Sequence, residues 1–94
     1  MPGGLMKRRY IWRFPEIINL FEVPEYLQLL MRIKKHKEIV FDMTETLDIN
    51  SSFIGFLIYS KELLKKQRTH YVFLLSPNVE KICTMLGMNE YFSC

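Results

Sequence analysis

The chain has 94 residues, 49% of them hydrophobic and 24% charged, which fits one small soluble domain and excludes a disordered segment. The formal net charge of +3, with a pI near 9.0, is too slight a bias to imply nucleic-acid binding by itself. The two cysteines, Cys83 and Cys94, do not make a disulfide framework, and the longest apolar run, 53–59, is too short to span a bilayer.

Residues 1–6 carry no apolar secretory core and read as a flexible tail, which leaves 7–94 as a single domain. Arg8 to Phe14 is aromatic and β-branched, so a strand is expected there. The mixture of cations and rings from Lys7 to Arg13 suits single-stranded nucleic acid, but an edge strand guarded by charge is the favoured reading. Pro15 interrupts the strand, and Glu16 to Phe21 is a second short strand or a turn. Pro24 suits the first turn of a helix. Leu27, Leu30 and Met31 recur at helical spacing, with Tyr26, Leu29 and Ile33 beside them. That helix ends at Lys34-Lys35-His36-Lys37, where cations complement the negative end of the dipole. Its wide apolar surface from Tyr26 to Ile33 leaves room for a homodimer.

Ile39 to Met43 is apolar at consecutive positions, as in a parallel strand buried on both faces. A loop with Asp42, Glu45 and Asp48 follows; it reads as a solvated acidic loop rather than a cation site. Asn50, Ser51 and Ser52 then stand where a helix begins, and Asn and Ser are favoured there because they accept from unpaired N–H groups. The helix runs to about Gln67, with Ile54, Leu57, Ile58 and Leu64 inward and Lys61, Lys65 and Lys66 toward water. His70 to Leu75 is the next strand, likewise expected to be buried on both faces beside Ile39–Met43. Ser76-Pro77 opens a helix whose apolar stripe is Val79, Ile82, Cys83 and Leu86 and which ends at Gly87; Asn89 to Phe92 folds back as a short terminal piece. Strand, helix, strand, helix, strand, helix is the order of an α/β or α+β sandwich with parallel strands.

This register resembles a STAS domain, the fold of the bacterial anti-sigma factor antagonists. That family opens a helix with Asp-Ser-Ser-Gly-Leu-Gly after a buried strand; here the stretch reads Asn50-Ser51-Ser52-Phe53-Ile54-Gly55. The basic helix end from Lys61 to Arg68, the strand and helix start from Tyr71 to Pro77, Leu86-Gly87-Met88 and Tyr91-Phe92 follow the family pattern as well. The likeness is weaker from Tyr10 to Lys37, where Pro15-Glu16-Ile17-Ile18-Asn19 loosely matches a Gly-Glu-Leu-Asp turn, and it leaves the first edge strand absent or abbreviated.

The resemblance implies an α/β, STAS-like fold with a central, mostly parallel sheet and packed helices. It implies a non-enzymatic cytoplasmic module that binds a serine kinase which is also an anti-sigma factor, with Ser51 as the phosphorylated residue. The partner-binding residues would be Asn50, Ser51, Ser52, Phe53 and Phe56. Two readings of the serines stand side by side, helix capping alone and phosphorylation. Phe53 and Phe56 are either core or an exposed hot spot. Phe53 is expected to be at least partly exposed, because its family counterpart is a glycine on an open surface. The alternative function is a constitutive adaptor subunit of a stressosome or a phospholipid-transport complex, favoured by Asn50 in place of Asp and Phe53 in place of Gly. No cofactor, metal, nucleic acid or membrane insertion is expected: His36 and His70 have no ligand-spaced companions, and no nucleophile, base and orienting group come together.

Overall fold

Three segments rich in aromatic and β-branched side chains form strands: β1 (Arg9–Arg13), β2 (Glu38–Met43) and β3 (His70–Leu75). The computed structural model describes residues 8–92, so the tail expected at 1–6 and Cys94 lie outside them. Helix α1 (Val23–Ile33) has Pro24 in its first turn and follows a 3₁₀ turn, Leu20–Glu22, that Asn19 caps by accepting from the N–H of Phe21 at 2.8 Å. Helix α2 is Ser51–Lys66, α3 is Pro77–Met85 and α4 is Asn89–Phe92. Of the two readings of the segment from Glu16 to Phe21, the structure has the turn, with a single parallel bridge from Ile17 to Asp48.

Helices α2 and α3 end in the same way. The N–H of Thr69 reaches the carbonyl of Leu64, and that of Met88 reaches the carbonyl of Cys83, each at 2.8 Å. Such an ending needs a left-handed residue after the helix cap. Gly87 supplies it for α3 with φ 72°, and Arg68 supplies it for α2 with φ 62°.

The sheet order is β1-β2-β3 and both pairings are parallel. A right-handed crossover that always steps in the same direction keeps its helices on one side of the sheet. Helices α1 and α2 therefore share a face. Tyr10 and Trp12 of β1, Ile39, Phe41 and Met43 of β2, and Tyr71 and Phe73 of β3 point toward them. This corrects the expectation of strands buried on both faces. Along β2 only alternate residues are buried, and the other face carries half-exposed Val40 and Val72 with exposed Ile11 and Leu74. The absence of alternation in the sequence reflects apolar residues on the open face, not a second helical layer.

One aromatic cluster joins the layers. Trp12, Phe14, Tyr26, Phe41, Phe53 and Phe56 come from β1, the chain just after it, α1, β2 and α2, with neighbouring ring centroids 4.8–6.4 Å apart. Phe53 is fully buried and Phe56 is 2% exposed. The expected exposure of Phe53 is thus corrected, and neither ring is a surface hot spot. The inward stripe of α2 is Phe53, Phe56, Leu57, Ser60 and Leu64, while Ile54 and Ile58 flank it and are half-buried. Ser60 tolerates burial because its hydroxyl donates to the carbonyl of Phe56 at 2.8 Å. On α3, Val79 and Cys83 are buried, but Leu86 lies at the helix end and is exposed. Burial pushes the Cys83 thiol above its usual pKa, so it is a packing group and a poor nucleophile.

Phe53→Ala should lower stability by about 3–5 kcal/mol. Thermal unfolding should show a fall in Tm of more than about 10 °C. A fall of only a degree or two would mean that the ring is not part of the core.

Candidate functional site

The start of α2 is built by Asn50. Its side-chain oxygen accepts from the N–H of Phe53 at 2.9 Å, and its amide N–H donates to the carbonyl of Ile18 at 3.1 Å. One residue therefore caps the helix and ties it to the loop after β1. A carboxylate would perform only the first task, which gives Asn a structural reason to stand where the STAS pattern has Asp. The rest of the loop before α2 is secured in the same manner. Thr46, fully buried, donates to the carbonyl of Pro15 at 2.9 Å, and the N–H of Leu47 reaches the carbonyl of Glu16 at 2.7 Å. Ser76, the cap of α3, donates to the carbonyl of Thr46 and accepts from the N–H of Val79.

Because Asn50 does the capping, Ser51 and Ser52 are relieved of it. Both are exposed in the first turn of α2, and among the described residues neither side chain makes a hydrogen bond. The reading of the serines as caps is replaced by Asn50 as cap. Ser52 also lines a groove of about 510 Å³ between α1 and α2. The other walls are Val23, Leu27, Met31, Gly55, Phe56 and Tyr59. A methyl group at Gly55 would meet nothing within 4 Å, so the glycine keeps the groove wide rather than relieving a clash.

Sequence reasoning missed the apolar surface around the serines. Ile17 is 68% exposed and Phe21 83%, and Leu20, Leu47, Met31 and Tyr59 are exposed as well. Ile17 and Leu47 belong to the two loops that hydrogen-bond to each other, and Phe21 precedes the α1 residues that wall the groove. The signal in the sequence was the crowding of Ile17, Leu20 and Phe21 into a turn whose place in the core is already taken by Ile18. Exposed apolar residues gathered at one place mark a binding surface.

The acidic residues near this end do not assemble a cation site. Asp42 accepts from the hydroxyl of Thr44 at 2.6 Å and its N–H at 3.0 Å, and faces Arg13 at 3.6 Å. The Thr44 hydrogen bonds, with help from Arg13, hold the Asp42 carboxyl below the usual carboxylate range. Among the described residues no group of three His, Cys, Asp or Glu side chains is placed to hold a metal. His36 and His70 lie at the opposite end of the sheet, with His36 Nδ1 2.8 Å from the carbonyl of Ile33. No helix among the described residues is long and apolar enough to cross a membrane.

No protein-family model and no curated protein matches the sequence. Among solved structures, the anti-sigma factor antagonist SpoIIAA in its unphosphorylated form superposes with a TM-score of 0.78. The match covers 96% of this chain and 81% of that one, at 13% sequence identity. The chain therefore has the STAS fold that its motif register implies.

Asn50→Asp should keep the cap yet lose the bond to Ile18, and so lower stability by about 1 kcal/mol. Asn50→Ala should lose both and cost about 2 kcal/mol; equal effects from the two changes would show that the cap contributes nothing, and an unchanged Asn50→Asp that the amide donor contributes nothing. Asp42 has its own signature in pH. Its carboxyl is held low, so its contribution is complete at neutral pH and fades as the pH falls below the usual carboxylate range. Asp42→Asn should flatten that acid limb in a series of melts against pH.

Proposed function

We propose that this domain is a regulatory protein-binding module of the anti-sigma factor antagonist kind, working in the cytoplasm without catalysis. The observation that supports this reading best is a pair of exposed, unengaged serines on a helix that another residue already caps, surrounded by exposed apolar side chains. The partner is a serine kinase that doubles as an anti-sigma factor. It docks on the first turn of α2, on Ile17, Phe21 and Leu47, and in the groove between α1 and α2. Asn50 shapes that surface from beneath, and Phe53 and Phe56 support it from the core.

Ser51 is the phosphorylated residue in this reading. A phosphate there adds a charge of about −2 and a hydration shell to a surface that must lose water when the partner binds. The free N–H groups of the first turn accept an anion without unfolding, so the fold survives and the interface does not. A second reading, a constitutive adaptor in a larger assembly, is favoured by Asn50: a kinase that needs the family's acid beside its target finds an amide held by Ile18.

Phe21→Ala and Tyr59→Ala should each weaken partner binding by about 1–3 kcal/mol. Each should change stability by no more than about 0.5 kcal/mol. Ser51→Ala should bind as the parent does and resist inhibition by the kinase, and Ser51→Asp should bind poorly. Mass analysis of Ser51 and Ser52 after incubation with the captured partner and ATP reads the modification directly. If Ser51 stays unmodified and Ser51→Asp binds as tightly as the parent, the switch is wrong and the constitutive adaptor takes its place. If Phe21→Ala and Tyr59→Ala leave binding unchanged, the surface is wrong.

A further inference from the structure

The end of the domain opposite the serines carries an excess of positive charge that neither the fold nor the proposed partner surface uses. Helices α1 and α2 run against the strands, so both C-termini meet at the end of the sheet where β2 and β3 begin. Lys34, Lys35 and Lys37 follow α1, and Lys65, Lys66 and Arg68 close α2. All but Lys34 are exposed. The two segments are tied together, since Gln67 donates to the carbonyl of Lys34 at 2.7 Å and the N–H of His70 to that of Lys37 at 3.2 Å. Their cations thus form one patch instead of two flexible loops.

The patch is not neutralised from within. Among the described residues none of the six is in an ion pair. Glu38 at this end is engaged by Arg9 at 2.8 Å, and Glu62, one turn back on α2, accepts from the hydroxyl of Tyr91 at 2.6 Å. Cations at helix C-termini are ordinarily explained by the dipole, but two helix ends supply only about half a negative charge each. Six cations exceed that several-fold. Acidic residues collect at the other end of the sheet instead, where Asp42, Glu45 and Asp48 lie in and after β2.

We infer that this basic pole docks on anionic phospholipid headgroups and holds the domain on a membrane surface with the Ser51–Ser52 end facing away. Five of these six cations are lysines, with exposed Arg8 and Arg32 adding charge at the same end, and a lysine is a point charge without the planar fork that reads a particular phosphate or base. Tyr10 and Tyr71, which flank Ile39 at this end of the sheet, are both half-buried and engaged, Tyr10 edge-on with His36 at a ring-centroid distance of 5.2 Å and Tyr71 with Phe73 at 5.7 Å. Rings packed in this way offer little face for stacking a nucleotide base. A diffuse lysine patch at the end of a charge-polarised body fits a planar array of negative headgroups.

The test is sedimentation of the full chain with phosphatidylcholine vesicles, with and without phosphatidylserine. Binding is expected only with phosphatidylserine, at about 0.1 M salt, and should vanish near 1 M, where screening reaches about 3 Å. The variant Lys35→Gln, Lys37→Gln, Lys65→Gln should bind about a hundredfold more weakly, at roughly fivefold for each cation. Lys81→Gln, which removes a cation from α3, should bind as the parent does. The inference fails if the parent ignores phosphatidylserine, if neutral vesicles bind equally, or if the triple variant binds like the parent. It fails also if a single-stranded or duplex oligonucleotide at equal phosphate concentration binds more tightly through the same lysines. Should the triple variant not fold, the lipid and salt dependence of the parent decides. Partner binding at the serine end uses other residues, so the two readings stand or fall separately.

Discussion

The aromatic cluster between the sheet and α2 is the contact on which the rest of the domain depends. Phe53 stacks near Phe56 at 5.7 Å and meets Phe14 at 5.2 Å and Tyr26 at 6.0 Å. Those rings belong to the chain after β1, to α1 and to α2, so one cluster fixes how both crossover helices lie on the sheet. A domain of this size holds a modest stability margin, and a large share of it must come from a few large side chains. By anchoring the start of α2, the cluster also fixes where the serines stand.

A second constraint converts that placement into a surface. Asn50 connects α2 to the loop after β1, while Thr46 and Ser76 connect the loop before α2 to the chain around Pro15 and to α3. Exposed Ile17 and Leu47 are therefore carried on loops that hydrogen-bond to each other. A rigid apolar surface loses less entropy when a partner covers it than a mobile one does. Relieving the serines of capping leaves their hydroxyls available while the helix stays closed.

Much of this was legible in the residues. Caps at Asn50 and Ser76, proline at 24 and 77, and glycine at 87 are local signals, and each marks a helix boundary in the structure. The STAS register followed from their order. The inward face of α2 is harder to read, because hydropathy assigns a serine to the outer side. Ser60 closes the stripe of Phe53, Leu57 and Leu64 only when its hydroxyl finds the helix's own carbonyl, a bond no hydropathy pattern records. The open side of the sheet was hidden for a different reason. Val40, Val72, Ile11 and Leu74 are as apolar as buried residues, and their exposure follows from sheet order, which is a property of the whole chain. The surface around Ile17 and Leu47 was missed because it joins loops far apart in sequence.

Arg68 closes α2 with the backbone geometry that Gly87 provides for α3. For a residue with a Cβ that geometry is unfavourable by roughly 1–2 kcal/mol, whereas glycine adopts it freely. Thermostability alone would favour glycine at this turn, the residue that stands at the other. Selection for a cation at the lysine-rich end favours the residue that is present. The two pressures oppose each other at a single backbone angle, so a thermostabilised descendant of this domain is the place to look for weakened electrostatics.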